Sequence, residues 1–575
     1  MTARRNDFLI IALASASLVA LEIAWTRILS AEFFYTFAFL ILSLAILGLG
    51  LGGLALRLFP GLARPDRLGI HFLAAAALAL AGPPAVLHLG LDIAKIFGAW
   101  AMAWRALAAL AFLGSAFFAG GMGVALLFRT RFRDMPGLYR ADLAGAGLGA
   151  LGIVLLMNAV ETPRATVLLV LPLAAAAFLA GGRRVKAAAL AVTAAALALL
   201  APAPRFMARP RKELAPVVHR HWDATSLLKV NAFEDGFLNL NIDNAANTPL
   251  ALFDGNWEAF RAQPFPALMD PKPLMDAMGG SCRFLSIGAG GGRDALLALR
   301  NGAAEVHAVE VNPYINRLLL PGGRYFEATG RMYADPRVKV VTEDARTYVR
   351  RNPGRFDLAF SLSSNSFAAL ASGAFAMSEN YVFTTEAMRD YVRALSPRGF
   401  LIMEHQFYMP RIVSEALDGL RACGVERPER HIAVYAIPQG RYPRQVIVVG
   451  RQPLTPEQIR RPFLNLDAGD PKVMHRLYPD PDPAARAPID RIVREGWRKV
   501  DAASPTDLSP ATDDRPFIAV QGRLRNLDLK GLRNLTTFEI QGFPLAKVMA
   551  LAVLAVALLL VLPLNALPWL RRGPR

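Results

Sequence analysis

The clearest pattern along the chain is a series of long apolar runs that contain few charged residues. Seven runs follow one another within the first 203 residues, and an eighth stands near the end of the sequence. A helix needs about 20 apolar residues to cross the hydrocarbon core of a bilayer, and each run approaches that length. We therefore predict transmembrane helices at 8–29, 33–58, 70–91, 106–128, 141–160, 164–181, 187–203 and 544–566.

Ionisable residues interrupt these runs, and a charge inside a membrane is costly unless it is paired or faces a cavity. They are Glu22, Arg27, Arg105 and Asp142. Two interpretations stay open for the first helix: with Trp25, its charged residues line a polar pocket for a lipid headgroup, or they form a structural ion pair that ties helices together. The closely spaced glycines at 48–53 and 145–149 predict close approach of helix backbones.

The segment that follows the seventh run has the composition of a soluble protein and alternates between apolar and polar positions. Alternation over residues 226–254, with turn signals at Asp235-Gly236 and Asp254-Gly255, predicts a small β-hairpin region. This region is too short to form a core of its own, so we expect it to pack on the domain that follows.

A short apolar strand, Phe284 to Ile287, then leads into a glycine-rich loop and a helix-like run. The loop contains Gly288, Gly290, Gly291 and Gly292. Glycines let the backbone pass close to a bound nucleoside and turn sharply into a helix. The next strand ends in Glu310, whose carboxylate can accept hydrogen bonds from two ribose hydroxyls. This order predicts a nucleoside site in a Rossmann-like domain, and the lack of a GxGxxG motif argues against NAD.

Further strands extend the predicted sheet. They lie at 338–341, 356–360 and 400–403. Because ligands of open α/β sheets bind at the carboxyl ends of the strands, the residues that follow each strand should converge on one crevice. Asp344, followed by Ala345, is placed to accept a hydrogen bond from an adenine amino group. The last of these strands ends in Glu404 and His405.

These residues resemble the spermidine synthase (polyamine aminopropyltransferase) family. The matching segments are Ile287–Asp294, Val309–Pro313, Asp335–Asp344 and Asn380–Thr384. The segments similar to the bacterial membrane-fused spermidine synthase-like proteins are Leu21–Arg27, Ser378–Tyr381 and Thr512–Phe517. The resemblance implies a SAM-dependent methyltransferase fold that takes S-adenosylmethionine or its decarboxylated form as co-substrate. It also implies that Glu310 binds the ribose and Asp344 the adenine.

The chain departs from that family where the polyamine should bind. The family follows its fourth strand with an Asp-Ser-Ser-Asp-Pro type segment, whose first aspartate deprotonates the attacking amine and whose second helps to hold the polyamine. Here the aligned stretch is Leu362-Ser-Ser-Asn-Ser366, and the family's Tyr-His-Glu is replaced by Phe260-Arg-Ala262. The candidates for a replacement base are Glu404, His405, Glu379 and Tyr381. A hydrogen-bonded structural role is the alternative for His405.

Three other acidic residues have competing interpretations. Asp294, at the start of the helix after the glycine loop, either positions the donor or caps the helix. Asp513 and Asp514 either tie the tail to the domain or supply negative charge to the pocket; we favour the tie.

The remaining composition excludes several classes of protein. The net charge is +18, but many basic residues flank the apolar runs, where they orient helices and meet anionic lipid, so a nucleic-acid partner is not supported. The two cysteines, Cys282 and Cys423, exclude a disulfide framework, and no metal site is expected.

We therefore predict a multi-span α-helical membrane region plus an α/β Rossmann-like SAM-binding domain with a small N-terminal β-hairpin region. The units are helical spans in 1–204, the hairpin region in 205–265, the transferase domain in 266–450, a packed tail in 451–540 and a last transmembrane helix in 541–575. The predicted partners are the bilayer and a small-molecule or lipid acceptor, and a homo-oligomer is left open.

The expected function is methyl or aminopropyl transfer to an amine or a membrane-associated acceptor. The alternative is a non-catalytic transporter or sensor that an adenosyl ligand or polyamine regulates. We expect a multi-pass protein of the bacterial inner membrane. The positions of the arginines favour a cytoplasmic N-terminus, and seven crossings would then put the central domain outside. Since adenosyl donors are cytoplasmic, we favour a cytoplasmic domain, with the alanine-rich run 187–203 interfacial or re-entrant.

Overall fold

The fold is taken from a computed structural model of the chain. It describes residues 5–33, 38–92, 95, 98–262, 269–279, 281–362, 379–438, 443–464, 466, 473–480, 488–528 and 542–544, and single positions between 547 and 566.

The described residues form a helical half followed by an α/β half. The helices are α1 (Arg5–Phe33), α2 (Ala38–Leu58), α3 (Leu68–His88), α4 (Trp100–Thr130), α5 (Met135–Val160), α6 (Thr162–Leu168), α7 (Val170–Ala180), α8 (Arg183–Leu199), α9 (Ala203–Phe206), α10 (Trp257–Ala262), α11 (Lys272–Asp276), α12 (Arg293–Arg300), α13 (Pro313–Leu319), α14 (Ala345–Arg350), α15 (Thr385–Ala394), α16 (Met409–Ala422), α17 (Pro456–Arg460), α18 (Pro488–Glu495) and α19 (Trp497–Asp501). The strands are β1 (Val217–Trp222), β2 (Leu227–Ala232), β3 (Leu238–Ile242), β4 (Ala246–Pro249), β5 (Arg283–Ile287), β6 (Glu305–Glu310), β7 (Val338–Thr342), β8 (Phe356–Leu362), β9 (Leu395–His405), β10 (Ile432–Ile437), β11 (Arg444–Gly450) and β12 (His475–Tyr478).

Six helical segments in the described part of the chain are long and apolar enough to cross a membrane. They are Asn6–Phe33, Ile41–Leu58, Pro65–His88, Trp100–Thr130, Phe132–Val160 and Thr162–Ala180. Each corresponds to one of the first six predicted runs. The sixth is broken into α6 and α7 because Pro172 has no N–H to donate to the carbonyl of Leu168.

The seventh run forms α8, a helix of 17 residues that falls short of the length of the other six. Gly181, just before α8, lies against Gly69 near the start of α3, whereas α9, just after α8, packs against α6. The helix therefore travels the length of the bundle beside α3 and α7. Because α8 is not among the six candidate spans, the interfacial or re-entrant segment expected for this run stays a prediction. Most of the eighth run lies outside the described residues.

The backbones of α1 and α5 touch directly. A Cβ atom on Gly145 or on Gly149 would lie 2.2 Å from the carbonyl oxygen of Ala12 or of Ala16, respectively. These pairs repeat every four residues on both helices, which is the spacing that places residues on one helix face. The prediction of close packing at 145–149 is confirmed.

The side chain of Arg27, on α1, contacts the soluble half of the protein. Its guanidinium forms a buried ion pair with Asp243, in the turn between β3 and β4, and lies 5.9 Å from the centre of the Trp222 ring. The structure therefore shows an ion pair at Arg27, but this pair joins α1 to the turn between β3 and β4 instead of tying two helices together. Asp142 accepts a hydrogen bond from Ser15 of α1, and Arg105 donates to the carbonyl of Gly90 at 2.7 Å.

The soluble half contains two sheets. The small sheet has the order β1-β2-β3-β4 and is antiparallel, so the predicted hairpin region gains the strand β1. The large sheet has the order β12-β10-β11-β9-β8-β5-β6-β7. Strands β5 to β9 pair in parallel, as expected for a Rossmann-like domain, while β11 pairs antiparallel with both β9 and β10. The strand order reverses between β5 and β8, the place where open α/β sheets bind ligands.

The tail after β11 is part of this domain. The buried guanidinium of Arg411 on α16 donates to the carbonyls of Ser509 at 2.7 Å and Ile518 at 2.7 Å, and also to those of Phe517 and Val520. Asp513 forms two hydrogen bonds with Arg346, of 2.6 and 2.7 Å. The preferred interpretation of Asp513, a tie between tail and domain, is confirmed.

Candidate functional site

The glycine loop connects β5 to α12 at the carboxyl edge of the large sheet. Gly292 has φ of +82°, a left-handed conformation that side chains disfavour, and occupies the N-cap position of α12. A Cβ on Gly291 would lie 2.1 Å from the carbonyl oxygen of Pro249, because the end of β4 crosses the loop. Gly288 and Gly290 also have positive φ. The loop therefore has the tight shape predicted for a nucleoside cradle, and the side chains of Thr248 and Met332 pack beside two of its glycines.

Glu310 ends β6 beside this loop and is 8% exposed. One carboxylate oxygen accepts from the backbone N–H of Gly290 at 3.0 Å, and the other from that of Asn312 at 2.9 Å. Burial raises the pKa of the carboxyl, and these backbone hydrogen bonds oppose the shift. Each oxygen keeps a second lone pair, so the carboxylate is oriented to accept two further hydrogen bonds, as a ribose diol requires.

Asp294 lies in the first turn of α12 and does not cap the helix, since no side chain bonds at the N-cap position. Its carboxyl accepts from the hydroxyl of Ser286 at 3.2 Å. Burial raises its pKa to about 7, against the hydrogen bond from Ser286 and the positive charge of Arg293. The N-cap interpretation of Asp294 is wrong, and a titratable carboxyl stands beneath the glycine loop.

Tyr333 is a residue that the sequence analysis did not single out. It is 5% exposed, and its hydroxyl lies 3.4 Å from the position that a Cβ on Gly292 would occupy. Burial, and then the nearby carboxyls of Glu310 and Asp294, raise its pKa. Within the described part of the chain this hydroxyl has no hydrogen-bond partner. The only available signal was its position shortly before β7, which does not reveal a contact with the glycine loop.

The predicted adenine site lies at the start of α14. The Asp344 carboxylate caps this helix by accepting from the N–H of Thr347 at 2.8 Å, and Ala345 is the first helical residue. Close by, Arg346 donates to the carbonyl of Tyr381 at 3.3 Å. The cap fixes the orientation of Asp344 at the carboxyl end of β7, and the proposed contact with adenine stays a prediction.

The side chains of Glu404 and His405 lie on opposite faces of the sheet, because adjacent residues of a strand point to opposite faces. Glu404 is 1% exposed and pairs with Arg444, with 3.6 Å between Oε2 and Nη1. Glu404 also stands in register with Leu362 on β8, the position at which the resembling family has its first aspartate.

His405 lies in the layer between the sheet and α15 and α16. It is fully buried, and its ring contacts those of Phe383 and Tyr408 with centroids 5.4 and 4.5 Å apart. Nδ1 accepts from the N–H of Phe407 at 3.1 Å, and burial lowers the pKa to about 3. These contacts agree with the structural alternative for His405, whose catalytic role stays a prediction.

Glu379 and Tyr381 form a pair, with the tyrosine hydroxyl donating to the carboxylate at 2.9 Å. Both are exposed, and the intervening Asn380 donates its N–H to the carbonyl of Pro516 at 2.7 Å. The tail thus holds this pair near the start of α14. Residues 363–366 of the aligned stretch lie outside the described residues.

A cavity of about 450 Å³ opens at the opposite, amino-terminal edge of the sheet, lined by Arg283, Asp357 and Arg398 among others. It contains none of the predicted site residues. The described residues include no group of three or more His, Cys, Asp or Glu that could hold a metal ion.

No protein-family model and no curated protein sequence matches the chain. Solved structures that it resembles include a spermidine synthase in complex with the transition-state analogue AdoDATO, at 18% identity and a TM-score of 0.29, over 43% of this chain and 77% of that one. A probable spermidine synthase from Corynebacterium glutamicum matches at 18% identity and TM-score 0.29, over 44% and 88%. A SAM-dependent methyltransferase from Mesorhizobium loti matches at 19% identity and TM-score 0.17, over 25% and 57%. These three structures are transferases, and each is matched over part of the chain.

Proposed function

We propose that the protein is a membrane-embedded transferase that takes S-adenosylmethionine or decarboxylated S-adenosylmethionine and alkylates an amine or a membrane-associated acceptor. The observation that carries the proposal is Glu310. Its carboxylate is buried beside the tight glycine loop, and backbone N–H groups hold both of its oxygens.

The donor supplies a carbon activated by an adjacent sulfonium. Transfer breaks the bond from this carbon to sulfur and joins the carbon to the acceptor, so the chain has to position both partners in line. Glu310 and the glycine loop would bind the nucleoside, and Asp344 and Ala345 would meet the adenine. An amine acceptor loses a proton, and we assign that proton to Glu404, because its register beside Leu362 places a carboxyl next to the apolar position.

The position of the carboxyl edge of the large sheet, where the donor would bind, supports an acceptor that arrives from the membrane. The turns of the small sheet contact the ends of α1, α5 and α6, and β4 of the same sheet crosses the glycine loop. The carboxyl edge of the large sheet therefore lies on the side of the domain that is closest to the helical bundle.

Binding and transfer are tested separately on the full chain in lipid nanodiscs. We expect S-adenosylhomocysteine to bind by calorimetry, and Glu310→Gln to weaken it at least tenfold, since the ribose would lose a charged acceptor. Glu305→Gln, at the half-buried amino-terminal start of the same strand, is the matched control.

Transfer is measured with donor labelled in the methyl or the aminopropyl group, offered with lipid extract and with polyamines. We expect a labelled product that Glu404→Gln reduces at least a hundredfold while donor affinity stays the same. The apolar Leu362 favours the second candidate, a non-catalytic sensor or transporter. Donor binding without transfer to any acceptor would support that candidate and reject the enzyme.

A further inference from the structure

A four-residue turn, 223–226, lies between Asn312, whose backbone N–H holds the Glu310 carboxylate, and the junction of helices α5 and α6. The turn joins β1 to β2. Its two sides make different contacts, one with the α/β half and one with the helical half.

On the side of the α/β half, the contact is with Asn312. The Asn312 backbone N–H holds the Glu310 carboxylate at 2.9 Å, and its side-chain oxygen caps α13 by accepting from Tyr314 N–H at 2.9 Å. Its side-chain nitrogen donates to the hydroxyl of Ser226 at 2.7 Å. The backbone N–H, the side-chain oxygen and the side-chain nitrogen of Asn312 therefore each have a partner. One of these partners, Ser226, belongs to the turn.

On the side of the helical half, the turn meets the last residues of α5 and the first of α6. The Thr162 hydroxyl donates to the carbonyl of Asp223 at 2.7 Å, and the N–H of Ala224 donates to the Asn158 side chain at 3.0 Å. Between these helices Glu161 has φ of +71°, a conformation rare outside glycine, which marks the point at which the chain changes direction.

The turn itself is rigid. The Asp223 carboxylate accepts from the N–H groups of Thr225 and Ser226, both at 2.7 Å, and from the Thr225 hydroxyl at 2.6 Å. Asp223 is 5% exposed, Ser226 2%, Asn312 8% and Thr162 0%. Because a buried polar group that loses its partner is costly, a shift at one end of such a chain favours a matching shift at the other.

We propose that the 223–226 turn couples the donor site to the α5–α6 junction, so that the arrangement of these membrane helices sets the affinity for the donor. The coupling is reciprocal: donor binding favours one arrangement of the helices. The inference rests on the proposed donor site at Glu310. In this coupling, Asn312 is a positioning residue. An apolar acceptor that enters beside α5 and α6 is the kind of ligand that would change the affinity for the donor.

The test measures S-adenosylhomocysteine affinity by calorimetry with the full chain in nanodiscs. Ser226→Ala should weaken binding about fivefold and Thr162→Val about threefold, although Thr162 touches no part of the donor site. The double variant should be no weaker than Ser226→Ala alone, because both changes break one path. Ser226→Cys keeps the shape of the side chain but is a weak hydrogen-bond acceptor, so it replaces Ser226→Ala if that variant fails to fold.

The matched control is Thr130→Val, since the Thr130 hydroxyl bonds within its own helix at the other end of the bundle. It should leave affinity unchanged. Hydrogen exchange gives a second readout: the ligand should slow exchange at 158–166 in the wild type and not in Ser226→Ala.

Wild-type affinity in Thr162→Val, additive losses in the double variant, or no ligand-dependent protection at 158–166 would each overturn the coupling while leaving the donor site intact. A wild-type chain that does not bind the ligand rejects the proposed function and the coupling together.

Discussion

Two carboxyls lie beneath the glycine loop, and burial raises the pKa of both. Backbone N–H groups oppose the shift at Glu310, whereas Asp294 receives one hydroxyl and its pKa rises to about 7. A carboxyl that titrates near neutrality will respond to the charge of its ligand. The donor carries a sulfonium cation, and the demethylated product carries a neutral sulfide.

We therefore expect the affinity for S-adenosylmethionine to rise by about tenfold between pH 6 and pH 7.5, as binding of the cation releases the proton from Asp294. The affinity for S-adenosylhomocysteine should rise less over the same interval. The sign follows because a cation stabilises the carboxylate and not the neutral acid. Calorimetry at several pH values measures both ligands, and Asp294→Asn should remove the difference. Equal pH profiles for the two ligands in the wild type would contradict the role given to Asp294.

At the scale of elements, glycine spacing decides how α1 and α5 meet. Gly145 and Gly149 contact the α1 backbone, whereas a Cβ on Gly147 of the same helix would meet nothing within 4 Å. These glycines are chemically identical, so only the helix face that each one occupies decides whether it contacts α1.

Gly149→Leu should separate α1 from α5, because the side chain would have to enter the space of the Ala16 carbonyl. We expect a destabilisation above the usual 1–3 kcal/mol for an overpacked site, seen as aggregation on size-exclusion chromatography in mild detergent. Gly147→Leu adds the same side chain towards open space and should elute as the wild type does. If both variants remain monodisperse, the backbone contact between α1 and α5 is not required.

Much of the element pattern could be predicted from the sequence, for stated physical reasons. Apolar runs have to match the bilayer, and a strand–glycine–helix order has few alternatives, so the first six spans and β5, β6 and Glu310 were found. Contacts between distant segments were not found: Tyr333 and Ser226 have ordinary neighbours in the sequence. The opposite faces of Glu404 and His405 follow from strand alternation, yet their separate surroundings depend on α15, α16 and β11.

At the scale of the whole molecule, α8 decides on which side of the membrane the domain lies. If α8 crosses the membrane as a seventh span, α1 begins on one side and the α/β half stands on the other. The end at which α1 begins has arginines at positions such as Arg64, Arg131 and Arg183, which the positive-inside rule assigns to the cytoplasm. The availability of the donor assigns the α/β half to the cytoplasm instead, and the proposed function needs the second arrangement.

Single cysteines at Asn6 and Glu234, both exposed positions, report the two ends in a Cys423→Ser background, where the remaining Cys282 is buried. We expect a membrane-impermeant maleimide to label Asn6→Cys from outside and Glu234→Cys only in inverted membranes. Labelling of both from one side would show that α8 does not cross. Labelling of Glu234→Cys from outside would remove the donor supply on which the function rests.

The hydrogen bonds from Arg411 to the tail limit where the chain can be truncated. A fragment cut at residue 450 would contain the strands β1 to β11 and all the donor-binding candidates. It would also leave a guanidinium inside the domain without the carbonyls of Ser509, Phe517, Ile518 and Val520. The smallest piece that keeps these groups paired extends past residue 520, nearly to the last apolar run. The α/β half is therefore a unit whose end is defined by hydrogen bonding and not by the last strand of its sheet.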